Sequence, residues 1–568
     1  MNRRRSQSMF LISTLSVTMA AGFGTVSARA ADAVSAPEPV VSHDAGWRMY
    51  HEGINPDGEP MMATVQGDIP VDGTMFTCAS CHLRGGLGSL EGSVITLPTN
   101  WGYLSRPLVG AEMSANARER LPEELKQGEF RPAYDDKTLA RAIRMGKDPN
   151  GREFDLVMPR YALDKEEMGT LIGYLKRLSA EFSPGVSDTT LNFATVIAGN
   201  VSKSDKDAML AVLQAHVRDH NSQVRHEDER KRRGPFYKQE KWDPYRRWQL
   251  DVWRIEGPPG SWPEQLAEHY AKQPVFALIG GISDGEWRPI HDFCEQHEIP
   301  SLFPVTGLPV ISDTDWYTVY FSKGAYQEGE AAARYLRRAE EELKKAPIVQ
   351  IYHDTPTGQA LALGFRETRE LMRMPAPAEH VLSGHKRLTV KLLKKIIAQH
   401  PGATLALWVG PDDLSALAAF AKQPQPPAIF MSASLLGDAV TTVPEEVRGF
   451  TLITYPTAFP EDKARTRLAI ERWLEIREIP LTNYEIQAKM YFVGWNLAGQ
   501  VKMMRDEFYR DHFLDITDMM RDQDYAVGVY ERLSFGPGQR YASKGCYLTA
   551  LTTGPEPSLE KRSGWVVH

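Results

Sequence analysis

FTCASCHLRGG (76–86) sets two of only four cysteines three positions apart and follows them at once with a histidine. The spacing Cys78-Ala79-Ser80-Cys81-His82 is the C-x-x-C-H pattern of covalent haem attachment, and no other feature so narrows what its surroundings can fold into. Two thiols at this spacing each bond one vinyl group of a porphyrin, and the histidine swings under the ring to bind iron. A zinc site needs a second Cys or His pair close by, and none stands there. A thioredoxin-type pair opens a helix inside a βαβ pattern, which this region lacks. The expectation is one haem c, held covalently by Cys78 and Cys81, with His82 as an iron ligand.

The first thirty residues supply a matching compartment. Arg3, Arg4 and Arg5 form a positive start, residues 9–26 an apolar core, and Ala28-Arg29-Ala30 a small-x-small cleavage pattern. Residues 1–30 therefore read as a secretory signal peptide, with an uncleaved anchor as the competing reading. Haem attachment to this motif takes place outside the bacterial inner membrane, so the expected location is the periplasm. No later run of eighteen apolar residues occurs, so no transmembrane segment is expected in the mature chain. Loss of the signal removes four arginines and no acids, taking the formal charge from −7 to −11. That balance argues against nucleic acid and anionic membranes as partners and suits a basic face on a redox partner. Cys294 and Cys546 leave two readings open, one disulfide or two buried thiols.

Three further stretches surround the motif. GWRMYHEGINPDGE (46–59) reads as a short helix running into a Gly- and Pro-rich turn. Asp135 or Asp136 caps a second helix with Leu139, Ala142 and Ile143 at helical spacing, closed by Gly146. Asp164 caps a third, with Met168, Leu171, Ile172, Leu175 and Leu178 in one stripe. Met158-Pro159-Arg160-Tyr161 lies between the last two. With its Tyr-Leu-x-x-Leu ending, the segment 46–180 resembles a monohaem class I cytochrome c. The resemblance implies an all-α haem domain over 31–180, with Met158 as the sixth iron ligand opposite His82. Met/His ligation raises the haem potential. Packing is the plain alternative for Met158, and Met61, Met62, Met145 and Met168 are its rivals by position. His51 reads as a surface or core residue. The loop 97–132 is longer than in the shortest such cytochromes and bears on haem shielding or docking.

Residues 181–190 are polar and Pro/Gly-marked and read as a linker. Beyond them apolar strands alternate with helices: FATVIAG (193–199), PVFALIGG (274–281), APIVQIYHD (346–354), TLALWVG (404–410) and PAIFMSA (427–433). Repeated βα units with continuous apolar strands predict parallel sheets covered by helices. VFALIGGISDGEWRPIHDFCEQHEIPSLFP, the YFSKGAYQEGEAAARYL helix opening and VQIYHDTPTGQALALGF resemble the type I periplasmic binding proteins of the branched-chain amino acid receptor-like group. That implies an α/β domain over 191–568 with two lobes, the second entered near residue 346, and a small molecule between them. Strand ends and helix starts facing such a cleft are Ser283, Asp284, Thr306, Tyr326, Asp354, Asp412 and Ser434. Each has helix capping as its alternative. Ser322 and Lys323 occupy the stretch where related receptors carry a basic residue. The charged insertion 225–247 reads as a solvated loop.

Together the two resemblances imply a periplasmic cytochrome fused to a solute-binding module. The expected task is electron transfer, with a small ligand in the cleft and a redox partner, either a dehydrogenase or a cytochrome or oxidase. A ligand- or redox-sensing receptor, and a haem oxidoreductase acting on the cleft-bound molecule, are the alternatives. A methionine on the sixth position favours a carrier over a catalyst.

Overall fold

The computed structural model describes residues 44–567 apart from 92–93, 110–128, 234–245, 340–342, 344, 385, 423–424 and 521–526. The signal peptide, most of the loop 97–132 and half of the insertion 225–247 therefore lie outside the described residues.

Four short helices of the N-terminal segment are each started by a side-chain cap. In α1 (Ala45–His51) Asp44 accepts the amide of Trp47, and in α2 (Cys78–His82) Thr77 accepts that of Ser80. Reciprocal capping boxes, Asp135 with Thr138 and Asp164 with Glu167, open α3 (Asp136–Met145) and α4 (Lys165–Leu175). Gly146 closes α3 at φ 63°, a left-handed turn suited to glycine. Met49, Tyr50, Leu139, Ile143, Met168, Leu171 and Ile172 fill the core between these helices. Helices α1 and α4 meet so closely that a Cβ on Gly46 would lie 2.6 Å from the Cβ of Tyr174.

The expectation of an all-α segment needs correction. Strands β1 (Met62–Val65), β2 (Ile69–Asp72) and β3 (Arg160–Tyr161) form a small antiparallel sheet. The reversal at Gln66 and Gly67, both at positive φ, turns MATVQGDIPVD into a hairpin, a local signal that the helical reading passed over.

The rest of the chain forms two α/β lobes. In lobe 1, β4 (Thr190–Ala198) pairs in parallel with β5 (Arg247–Ile255) after the long helix α5 (Lys203–Arg233). On its other side β4 meets β6 (Ala277–Ile279) and β7 (Ile282–Ser283), and the sheet continues through β8 (Ser301–Leu302) to β9 (Thr318–Val319). The chain then crosses to lobe 2 through 320–324. Helix α6 (Gly324–Arg338) already belongs there, since it packs on α7 (Pro356–Leu371). Lobe 2 is thus entered near 324 rather than 346, because the apolar face of α6 is buried in that lobe's core.

The lobe 2 sheet runs β11 (Ala378–Leu382), β10 (Ile348–His353), β12 (Thr404–Trp408), β13 (Ile429–Ser432) and β14 (Thr451–Tyr455), all parallel. The chain returns to lobe 1 as α8 (Tyr484–Met504) and α9 (Arg510–Met519). It crosses again to add β15 (Gly545–Leu551) antiparallel to β14. The crossings lie side by side: the amide of Tyr320 donates to Arg540 O, that of Ala542 to Tyr320 O, and that of Ala458 to Val529 O. Cys294 and Cys546 are both buried free thiols, each in the core of a different lobe.

Residues 181–190 are packed rather than loose. Phe182 stacks near Phe508 and Tyr509, Ser183 N donates to Phe508 O, and Arg510 N donates to Ser183 Oγ. Trp248 and Trp253 are core residues of lobe 1.

Candidate functional site

Two places in the molecule gather chemistry. The first is the haem motif. Helix α2 is barely more than one turn, so Cys78 and Cys81 stand on one short face of it, half-buried and exposed respectively. Their apolar surroundings push the Cys78 thiol up to about 12. The imidazole of His82 is bound through Nδ1 to the carbonyl of Leu97 at 2.8 Å. That bond orients the ring and leaves Nε2 as the lone-pair nitrogen. Burial holds the ring's pKa below its ordinary value, with the Leu97 bond acting the other way, so the neutral ligand form is favoured.

Met158 sits half-buried in the turn before β3. Its amide donates to Asp155 O at 3.2 Å, and its carbonyl accepts from Arg160 Nη1. The Met158 turn is tied to the rest of this region at two points: Tyr161 donates its hydroxyl to Phe76 O, and Gln66 N donates to Leu156 O. Exposed Met62, Met75, Leu156 and Val157 lie on the same segments. Two thiols on one helical turn, an imidazole with an oriented ring, a thioether turn and apolar flanks fit a covalently held haem. Of the rivals of Met158, Met61 and Met168 are buried in the core, while Met62 and Met145 are exposed. His51 bonds the hydroxyl of Tyr174 at 2.8 Å and stacks on Trp47, a packing role.

The second place is a cavity of about 550 Å³ between the lobes. Its lobe 1 wall is the loop 307–311 with Glu286 and Arg288; its lobe 2 wall is the end of β10 and the first turns of α7. Lys323 and Tyr326 line it from the crossing. Helices α6 and α7 hold that wall rigidly through reciprocal glycines. A Cβ on Gly329 would lie 2.1 Å from Leu361 O, and one on Gly364 2.1 Å from Tyr326 O.

The charges lining the cavity are held by neighbours. Lys323 Nζ donates to Glu330 at 3.2 Å, and Arg366 to Glu379 at 2.9 Å. Tyr352 donates its hydroxyl to the same Glu379 at 3.0 Å, and Tyr326 to Glu367 at 2.7 Å. Burial, reinforced by Glu367, keeps the Tyr326 phenol protonated and its pKa well above the ordinary range. Asp354 accepts from Gln359 Nε2 at 2.6 Å. Apolar Leu308, Val310 and Leu363 complete the lining. The cavity thus offers fixed cations, fixed carboxylates and an apolar wall, which suits binding of a small polar molecule. Among the described residues no group of three or more His, Cys, Asp or Glu is placed to hold a metal ion.

Of the seven cleft residues predicted, Tyr326 and Asp354 line this cavity. Ser283 and Thr306 shape it from behind: both hydroxyls donate to Gly285 O, at 2.9 and 3.1 Å, and Thr306 also accepts Leu308 N at 3.0 Å. Asp284 instead caps a neighbouring loop through Asn200 N at 2.7 Å. Asp412 and Ser434 are corrected outright. Asp412 pairs with Arg387 on the exposed surface, and Ser434 serves the buried carboxylate of Glu328. Glu286, Arg288, Tyr352, Gln359 and Arg366 were missed. The i, i+7 spacing of Gln359 and Arg366 on α7 was the one signal in the sequence for them.

Residues 263–515 match the family model described as periplasmic binding protein. No curated protein matches the chain. Among solved structures, a putative branched-chain amino acid ABC transporter from Rhodospirillum rubrum is 13% identical, with TM-score 0.46, covering 67% of this chain and 99% of its own. A branched chain amino acid ABC transporter from Thermus thermophilus with bound valine is 13% identical, with TM-score 0.45, covering 67% and 97%. A fatty acid ABC transporter substrate-binding protein from Thermomonospora curvata is 14% identical, with TM-score 0.42, covering 68% and 95%.

Proposed function

We propose that the chain is a periplasmic solute-binding protein whose N-terminal segment carries one covalent haem and passes electrons to a redox partner. The binding half of this reading is supported by the interlobe cavity and by the family match over 263–515. The haem half is carried by one observation: Cys78, Cys81 and His82 share a single short helix, with the His82 ring oriented by Leu97 O. Bound there, a haem supplies one-electron exchange between ferric and ferrous iron. Cys78 and Cys81 would anchor it, His82 would ligate from one side and Met158 from the other. The residues of this chain do the positioning; the Leu97 carbonyl fixes the imidazole, and Pro159 stiffens the turn that presents the thioether. The redox partner is a dehydrogenase, or a cytochrome or oxidase, and the cleft takes a small molecule.

A second reading, a sensing receptor in which cleft and haem influence one another, is favoured by direct hydrogen bonds between the haem loop and lobe 1. Mass spectrometry under native and then denaturing conditions tests both halves on protein from a periplasm able to attach haem. One haem mass should survive denaturation, and any cleft ligand should be released. A chain without covalent haem would overturn the electron-transfer reading.

A further inference from the structure

The loop that leaves the haem motif is gripped from outside its own segment. Helix α9 of lobe 1 presents the carboxylate of Asp515, which is 3% exposed. Its Oδ1 accepts Arg84 N at 3.2 Å and its Oδ2 accepts Gly85 N at 2.8 Å. A Cβ on Gly85 would lie 3.1 Å from His512 N and 3.2 Å from that Oδ2, so the approach is tight for any residue with a side chain. Around the same point the Arg84 guanidinium lies 4.3 Å over Trp316 of lobe 1 and 5.6 Å over Trp47 of α1, and 3.8 Å from Asp511.

The backbone here is held in a costly shape. Leu83, immediately after His82, adopts φ 63° and ψ 166°, a region populated almost only by glycine that costs a residue with a side chain about 1–3 kcal/mol. Such a residue persists where its surroundings over-determine it. Tyr50 donates its hydroxyl to Leu83 O at 2.8 Å, and Asp515 takes the next two amides. Gly86 O then accepts Thr99 N at 2.8 Å and Asn100 N at 3.2 Å, which fixes the segment whose Leu97 O holds His82.

We propose that Asp515 is a positioning residue for His82: through residues 84–86 and 97–100 it sets the direction of the imidazole that ligates iron. The binding domain thereby completes the haem site. This inference rests on the haem reading above for the role of His82, whereas the grip on the loop stands on the hydrogen bonds themselves.

The test uses the full-length protein with Asp515→Ala and Asp515→Asn, read by denaturing mass spectrometry, amide exchange of the segments 83–91 and 94–100, and the haem midpoint potential. With both hydrogen bonds removed, Asp515→Ala should exchange these amides roughly tenfold faster or more, and should shift the midpoint potential. Asp515→Asn, which keeps one acceptor oxygen, should fall between the two. Unchanged exchange and potential in Asp515→Ala, with haem still attached, would overturn the inference alone. Absence of covalent haem in the parent protein would overturn the haem reading and, with it, the role of His82. Should Asp515→Ala not fold, Asp515→Asn decides: a shifted potential at unchanged melting temperature supports the inference, and an unchanged potential defeats it.

Discussion

The cavity and the haem loop are held in opposite ways. Around the cavity, α6 and α7 touch backbone to backbone through Gly329 and Gly364, so the side chains they carry stand on a packed, rigid frame. The loop after α2 adds hydrogen bonds from outside to close glycine approaches of its own, Gly88 to Thr96 O and Gly85 to His512 N. It leaves α2 through a strained Leu83 and is kept in place by hydrogen bonds from three separate directions: Tyr50, Asp515 and the segment 97–100. Packing resists gradual change and fails abruptly when a methyl group is added. A hydrogen-bonded loop loses its order bond by bond. The cavity between the lobes should therefore behave as all-or-none under mutation, and the loop after α2 as graded.

The largest effect should follow from adding volume to the rigid frame. Gly329→Ala and Gly364→Ala each place a methyl group against a carbonyl of the opposing helix, and each should cost about 2–3 kcal/mol. The loss should appear as a lower thermal midpoint for lobe 2. Because both substitutions wedge the same contact, the double variant should lose less than the sum of the two. Haem content should stay at the level of the parent chain. An additive double variant would break the idea of one shared contact.

These differences also explain what the sequence disclosed. The C-x-x-C-H motif is five consecutive residues, so the expectation drawn from it is written locally and needed no knowledge of the fold. The βα alternation was equally plain, since buried parallel strands are continuous apolar runs. The cavity is assembled from 286–311, 323–326 and 352–366, and which strand end faces which depends on how the lobes fold over one another. The rule that ligands meet strand ends found Tyr326 and Asp354, yet it also selected Asp412 and Ser434, whose own neighbours claim them. Arg366 lies nearly three turns into α7, where that rule does not look. Asp515 lies 430 positions from Gly85, and only the folded chain brings them together.

A third junction, in lobe 1, joins packing to titration. The His216 ring on α5 fills the space beside Gly494 of α8, where a Cβ would lie 2.2 Å from the ring, and it stacks on Trp473 at 4.6 Å. Burial lowers its pKa from about 6.5 to about 4, outweighing the nearby Asp219. The unfolded chain therefore binds the proton first. Stability from this group is full above about 6.5 and is lost as pH falls toward about 4, on the order of 2 kcal/mol. Chemical unfolding at a series of pH values should show that slope in the parent chain. His216→Phe should flatten it, and equal slopes in the two would refute the assignment.

A smaller effect should come from the loop. Tyr50→Phe deletes the hydroxyl bonded to Leu83 O and leaves the buried ring in place, at a cost of about 1 kcal/mol. Amide exchange should rise around Leu83 while α6 and α7 keep their protection. Equal loss in both regions would mean that the two are not held independently.

The smallest effect should be on stability at Arg366, and it separates binding from folding. Its side chain is 41% exposed and pairs with Glu379 at 2.9 Å, a setting in which an ion pair contributes roughly 0–1 kcal/mol. Arg366→Met keeps most of the stem that covers Leu363 and Val381 and removes only the charge. Its thermal midpoint should therefore stay close to that of the parent, in contrast to the glycine variants. Tyr352 would keep its bond to Glu379, but that carboxylate would lose its cation and leave the cavity more negative. Retention of a small carboxylic acid, measured as ligand released on unfolding or as a thermal shift, should fall while retention of a neutral molecule holds. Equal retention of both would place Arg366 outside the binding surface, as a support for Glu379 alone. A large fall in the midpoint would instead mean that the frame around the cavity depends on this pair as well as on the glycines.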